Sequence, residues 1–443
     1  VSLLTLLSTS QIAGLETDQI AAFGSADLAS LGTNQIGALT STQLAVLNTL
    51  QLQGLTTAQI SLGVTSSQIS ALNSLQLSGF TTAQANALTT DGIAGIETTD
   101  IVGFKTATVA SLKSTQIAAF NSAQVAALTS LQVGALTTLQ LTTGLDTIDI
   151  QALNSTQVGA FNSAQLGSLS TAALTAMTTD EVAALSTGAL AGLKSTQVSG
   201  LTSDQVVGMT TLQIASLNSA QLVGLTTNQV SKMDDADLAA IKTNVLSGLS
   251  TSQINAIGTN QVDALTSLQI GALNTLQVSA GLNSDQIAVF NTNQLAALST
   301  AQFGALNTNT LAAIATADID TLKTNVIAAL KSTQVAGLTT PQIAQLTTTQ
   351  VSALSTASLA SLSTLQGFAL SDTQVGVLTS TQLGALATHV LAAFGTEDIA
   401  AIKTTALPGL KSNQIGALTT DQVVGMTSSQ VSALASSQLV GLN

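Results

Sequence analysis

A chain of 443 residues with no Cys, Arg, Tyr or Trp and a net charge of −13 excludes several classes at once. Without cysteine there is no disulfide framework or thiolate metal site. Without arginine or stacking rings there is no basic groove of the kind nucleic acids need.

The chain threads from its first residue to its last as 52 octapeptides and three nine-residue variants, with no linker between them. The consensus is Ser/Thr, any, Gln, Ile/Val/Leu, any, Ala/Gly, Leu/Phe/Met, Thr/Ser/Asn/Lys. These are positions one to eight. Position four departs from Ile, Val or Leu only at Ala85, Phe303 and Gly367, and position seven is always large and apolar. A spacing of three residues puts positions four and seven on one face of a helix, whereas a strand would put them on opposite faces.

Val1–Ser8 reads as a degenerate first octad. Its Leu3-Leu4-Thr5-Leu6-Leu7 run is the most apolar stretch and is too short for a membrane span, which takes about 20 residues. It has no basic flank that would make it a signal peptide. Further along, Leu136-Thr137-Thr138-Leu139-Gln140-Leu141 shows how one octad meets the next. Thr137 is a good N-cap, Gln140 completes a capping box, and Leu136 with Leu141 stands where a hydrophobic staple belongs. Each octad is therefore expected to form a helix of about one and a half turns, ending at position six or seven. A small residue at position six allows close backbone approach and a sharp exit. Helices this short are not stable alone in water, so octads must stack on neighbours. The expected fold is an all-α solenoid of very short capped helices over residues 1–443, a single continuous array. A β-solenoid is the alternative, favoured by Thr, Val and Ile but opposed by the spacing of positions four and seven.

A second period runs above the first. A recurring set of octads with an acid at position three starts at Ser25, Thr98, Thr179, Asp235, Thr316 and Thr396, at intervals of 73, 81, 56, 81 and 80 residues. Ten octads is the commonest spacing. Four of the six end in Lys, and Lys often closes the next octad as well. Asp100, Lys105, Lys113, Asp237, Lys242, Asp318, Lys323, Lys331, Asp398, Lys403 and Lys411 are candidates for fixing register or assembly, as a charged ladder between adjacent turns or adjacent molecules. The nine-residue octads keep the same clock, each carrying its extra residue beside a glycine, Gly63, Gly144 or Gly281.

Candidates for chemistry are few. His389 is a lone histidine at a variable position. No nucleophile–base constellation and no phosphate-binding glycine loop are present in the sequence, so catalysis and a bound cofactor are not expected. Asp234, Asp235 and Asp237 form the densest acidic cluster and are the one calcium candidate, with helix N-terminal charge and Lys pairing as the simpler explanation. Pro341, at position two, is tolerated in a first helical turn, and Pro408, at position five, should shorten its helix. Phe368 is the only aromatic candidate for an exposed binding spot, and Gly367 beside it suggests a local shift that turns Phe368 inward.

The wording Thr-Thr-x-Gln-Val/Ile-x-Ala-Leu, carried throughout the chain, resembles repeat tracts of very large bacterial secreted proteins described as adhesin-like. The resemblance implies a location on the cell exterior and transfers no functional residue. Ser436–Leu442 is an ordinary octad rather than a polar terminal cap. Together these lead to the expectation of an extracellular structural protein, a subunit or segment of a filament, sheath or adhesin stalk. Its partners would be other copies, associating end to end or laterally, with no nucleic acid and no membrane span. A surface-layer lattice protein and a solenoid module gripping glycan or peptide are the alternatives.

Overall fold

In the computed structural model, which describes residues 3–441, nearly every octad begins its helix where the sequence places the cap; those of Thr98 and Thr404 keep only 3₁₀ turns, Ile101–Gly103 and Leu407–Gly409. Val1, Ser2, Leu442 and Asn443, the ends of the first and last octads, lie outside the described residues. Thr137 is typical. It is extended (φ −73°, ψ 157°), its side chain accepts from the Gln140 N–H at 3.2 Å, and its own N–H donates to Gln140 Oε1 at 2.7 Å. Among the described residues there are fifty α-helices of four to six residues, with four 3₁₀ turns, one π turn and no strand. The helices are shorter than expected and end at positions four to six. Position seven is already extended, as in Leu128 (φ −59°, ψ 142°), because its side chain must turn back under the helix to reach the core.

Positions four and seven form that core. Ile117, Val125 and Val133 are fully buried, and Phe120, Leu128 and Leu136 nearly so. Phe80 and Phe104, both at position seven and three octads apart, meet edge to face at 6.5 Å, a favoured aromatic geometry. Pro341 sits inside the first turn of Thr340–Gln345 without disturbing it. The octad of Pro408 keeps only the 3₁₀ turn Leu407–Gly409.

The chain divides into two compact segments, Val1–Leu225 and Thr226–Asn443. Within each, helices pack on those three octads away, as Thr9–Ala13 does on Thr33–Ala38 and Ser332–Ala336 on Thr356–Ala360. Side chains of position three reach back 28 residues to position seven of an earlier octad, as from Gln43 to Leu15 and from Gln334 to Leu306. One coil of each solenoid therefore takes about 28 residues, or three and a half octads.

Small residues at position six set the spacing between coils. No described residue has a positive φ, so these glycines are not needed for left-handed turns. They are needed for room. A Cβ on Gly192 would lie 1.9 Å from the Ser163 carbonyl oxygen of the preceding coil, and one on Gly409 would lie 1.8 Å from that of Ser380. The three inserted residues are absorbed locally. The Val64 and Leu282 N–H groups bond five residues back, to Gln59 and Gln277, so the last turn widens into a π turn. Register is then restored: the 28-residue reach becomes 29 for Gln68, Gln76 and Gln84, and is 28 again at Gln116.

Gly192→Ala should destabilise the fold by about 2 kcal/mol through overpacking against backbone. Gly304→Ala, which meets nothing within 4 Å, should be neutral or stabilising by up to about 1 kcal/mol. Thermal melts of the two variants beside the parent chain check the contrast.

Candidate functional site

The feature that recurs through both segments is the buried glutamine at position three. Gln124 is typical, with no exposed surface. Its Oε1 accepts from the Asn121 N–H at 2.9 Å and so closes the cap of its own helix. Its Nε2 donates to the carbonyls of Ile93 at 3.1 Å and Ile96 at 2.7 Å, four octads earlier. Gln205, Gln286 and Gln350 repeat the same arrangement. The sequence announces the capping half of this role. It does not announce the amide clamp between coils, because the acceptors are backbone carbonyls about 30 residues away. Every such Nε2 bond points toward the preceding coil, so each coil presents donors on one face and acceptors on the other.

The clamp has gaps around acid octads of the longer period: a two-octad gap at Asp237 and Val245, and four gaps of three octads. Position three is Gly92, Asp100 and Thr108 in three successive octads. It is Ala173, Glu181 and Ala189 in another run, then Thr310, Asp318 and Val326, then Val390, Asp398 and Ala406. The acid octad is the middle member each time. From Gln84 to Gln116, and likewise from Gln165 to Gln197, Gln302 to Gln334 and Gln382 to Gln414, 32 residues pass without a position-three glutamine. That is slightly more than one coil. Between gaps, Gln116–Gln165 and Gln334–Gln382 each span seven octads, or about two coils, with glutamine at position three in all but one octad of each, those of Asp149 and Ser358.

The acids and lysines singled out from sequence lie in and beside these gaps. Asp100 accepts from the Ser74 N–H at 2.8 Å, Asp318 from the Thr292 hydroxyl at 2.9 Å, and Asp398 from the Gly395 N–H at 2.7 Å. Lys323 donates to the Ala296 carbonyl at 2.8 Å. Lys105, Lys113, Lys242, Lys331 and Lys411 are exposed N-cap residues whose side chains make no cap bond, since an ammonium cannot accept, and Lys403 is exposed ahead of the turn that leads to Leu407–Gly409. Asp237 is buried, whereas Asp234 and Asp235 are exposed. Among the described residues no group of three or more His, Asp or Glu side chains is placed to hold a metal ion. His389 is exposed, with Nε2 3.3 Å from the Leu362 carbonyl.

Phe368 corrects the sequence reading. It points outward, 71% exposed, beside the exposed Leu365 and next to Pro341. Gly367 is present for a different neighbour, since a Cβ there would lie 2.6 Å from Val390 Cγ1. The backbone keeps its helical register at Gly367, so Phe368 stays on the outer face of the helix.

A cavity of about 580 Å³ opens where Ala173 replaces a clamping glutamine. Leu141, Gly144, Asp146, Asp149 and Ser170 help to line it. Burial raises the Asp149 carboxyl above the usual range, against a lowering hydrogen bond from the Asp146 backbone and with the Asp146 charge adding to the rise. Asp398 is raised for the same first reason, helped by Asp372 and Glu397.

These features define a class, the α-solenoid repeat proteins, whose units are bonded by one recurring side chain. Eight segments match the ALTTAQ repeat model, at residues 20–57, 93–130, 109–138, 143–179, 174–211, 230–267, 311–348 and 391–428, together more than half of the chain. The chain belongs to the ALTTAQ repeat family. No curated protein matches it. Among solved structures, the leucine-rich repeat-containing protein LegL7 from Legionella pneumophila is similar over 62% of this chain and 83% of its own, at 13% identity. The TM-score of 0.14 is too low to carry a structural argument.

Two predictions follow from the chemistry of position three. Gln124→Glu keeps the capping acceptor and loses the donor, so at neutral pH it should cost about 3 kcal/mol for a buried charge facing carbonyls. Its carboxyl titrates higher when folded than when unfolded, so the loss should shrink as pH falls toward about 4. Denaturant titrations across pH measure this. For Asp149, whose folded carboxyl is likewise raised, the penalty is present at neutral pH and absent in acid. Asp149→Asn should therefore melt above the parent at pH 7, and the difference should vanish in acid.

Proposed function

We propose that the chain is a structural array of the bacterial cell exterior, a segment of a filament, sheath or adhesin stalk that assembles with other copies of itself. One observation supports the reading above the rest: the interface between coils is polar and repeats. Glutamine donors face one way and backbone acceptors the other, so the same bonds can be made by any coil on any other. A head-to-tail interface of this kind does not close on itself, and it suits a body whose length is its purpose. The exposed face, built largely of Thr, Ser and Asn, carries little charge beyond the Asp/Lys octads. That fits lateral association set by a few charged positions, with Asp100, Lys105 and their counterparts fixing register. Among the described residues no helix is long and apolar enough to cross a membrane. The array is read as non-catalytic.

Negative-stain images of the purified chain should show elongated particles that lengthen or bundle with concentration. Antibody labelling of intact source cells should place the chain outside. Compact monodisperse monomers together with an exclusively internal label would overturn the proposal.

A further inference from the structure

The gaps in the glutamine column have a physical consequence that is independent of where the chain is located. In a clamped coil each position-three amide, buried from water, bonds two carbonyls of the coil before it. Across a gap those amides are missing for a whole coil. What crosses instead is sparse and wet. The Asp318–Thr292 and Lys323–Ala296 bonds are exposed, His389 meets Leu362 at 3.3 Å from an exposed ring, and the bond from the Ser74 N–H to Asp100 is half-buried. Water competes with such bonds, so they hold coils together weakly. Burial at positions four and seven continues through the gap unchanged. The gap coil stays clamped to the coil after it, as Gln124, Gln132 and Gln140 bond the carbonyls of Ile96, Phe104 and Leu112, but it is held to the coil before it mainly by apolar contact. Packing is poorer there too, since the cavity beside Ala173 occupies the space that a glutamine side chain fills elsewhere.

We propose that the clamp-free interfaces, each between a gap coil and the coil before it, are preset opening lines, at which the solenoid separates into clamped blocks before any block unfolds. The ten-octad period is then a mechanical period: a span of nearly three coils with one interface that lacks its amides. The acid at its centre enforces the gap. A carboxylate at position three cannot donate to the carbonyls that face it, and Glu181, the longest of these acids, spends its Oε2 on the Thr178 N–H of its own cap. Local opening of this kind is what amide exchange reports, because solenoid stability is a sum of nearest-neighbour terms.

Hydrogen–deuterium exchange on the whole chain tests the proposal. The helices Thr171–Ala176, Thr179–Ala184 and Thr187–Leu190 should exchange at least about tenfold faster than Ser122–Ala127 and Ser130–Ala135 of the clamped block. The triple variant A173Q/E181Q/A189Q, which installs the missing amides, should bring that coil to the protection of its clamped neighbours. It should leave the gap at Gly92–Thr108 as fast as before. Uniform protection along the parent segment overturns the proposal without need of the variant. So does a folded triple variant whose coil stays as fast as in the parent.

Discussion

The structure depends on one side chain having two ends. Glutamine at position three accepts with Oε1 and donates with Nε2, and the fold uses both at every clamped octad. The acceptor satisfies an N-terminal N–H of its own short helix. The donor satisfies two carbonyls at the end of a helix four octads back. A helix of four to six residues is nearly all terminus, so its unpaired backbone groups are its chief liability. The glutamine answers that liability at both ends of two different helices. Glutamate would keep the first bond and lose the second. Ser358 shows how far a shorter side chain falls short, its hydroxyl reaching one carbonyl, Leu330, at 3.3 Å.

Because every helix is completed by a neighbour three or four octads away, no octad is stable in isolation and the coil is the smallest meaningful unit. This explains why insertions are tolerated only in one form. The extra residue in each nine-residue octad widens a last turn, and a glycine faces the position-four side chain of the adjoining coil, Ile36, Ile117 or Ile254. Clamps of the next octads stretch their sequence separation by one and keep their partners. The geometry between coils is held constant while the chain length between bonded groups varies.

The period of ten octads gains a cause from the same bond. Ten octads span just under three coils, and within that span one interface between coils lacks its amides. Lysine at position eight fits this pattern, since it gives up a side-chain cap in or beside the octads that also give up the clamp. Eight of the nine lysines lie in octads where the position-three amide is missing, Lys232 being the exception.

Much of this is legible in the octad itself. The spacing of positions four and seven determines helix over strand, Thr137 and Gln140 determine where a helix starts, and the small residue at position six announces close approach. All of these are local: cause and effect lie within eight residues. What tertiary structure alone decides is the 28-residue coil, and with it the identity of the partners 28 and 31 residues back. A repeating sequence cannot specify them, because each octad is equally compatible with every other, and the coil length is set by how successive helices pack. For the same reason the outward turn of Phe368 was hidden, since the residue that requires Gly367 is Val390, three octads further on. The meaning of Asp100, Glu181, Asp318 and Asp398 was hidden too. In sequence they are charges; in the folded chain they mark the coil where a donor is missing.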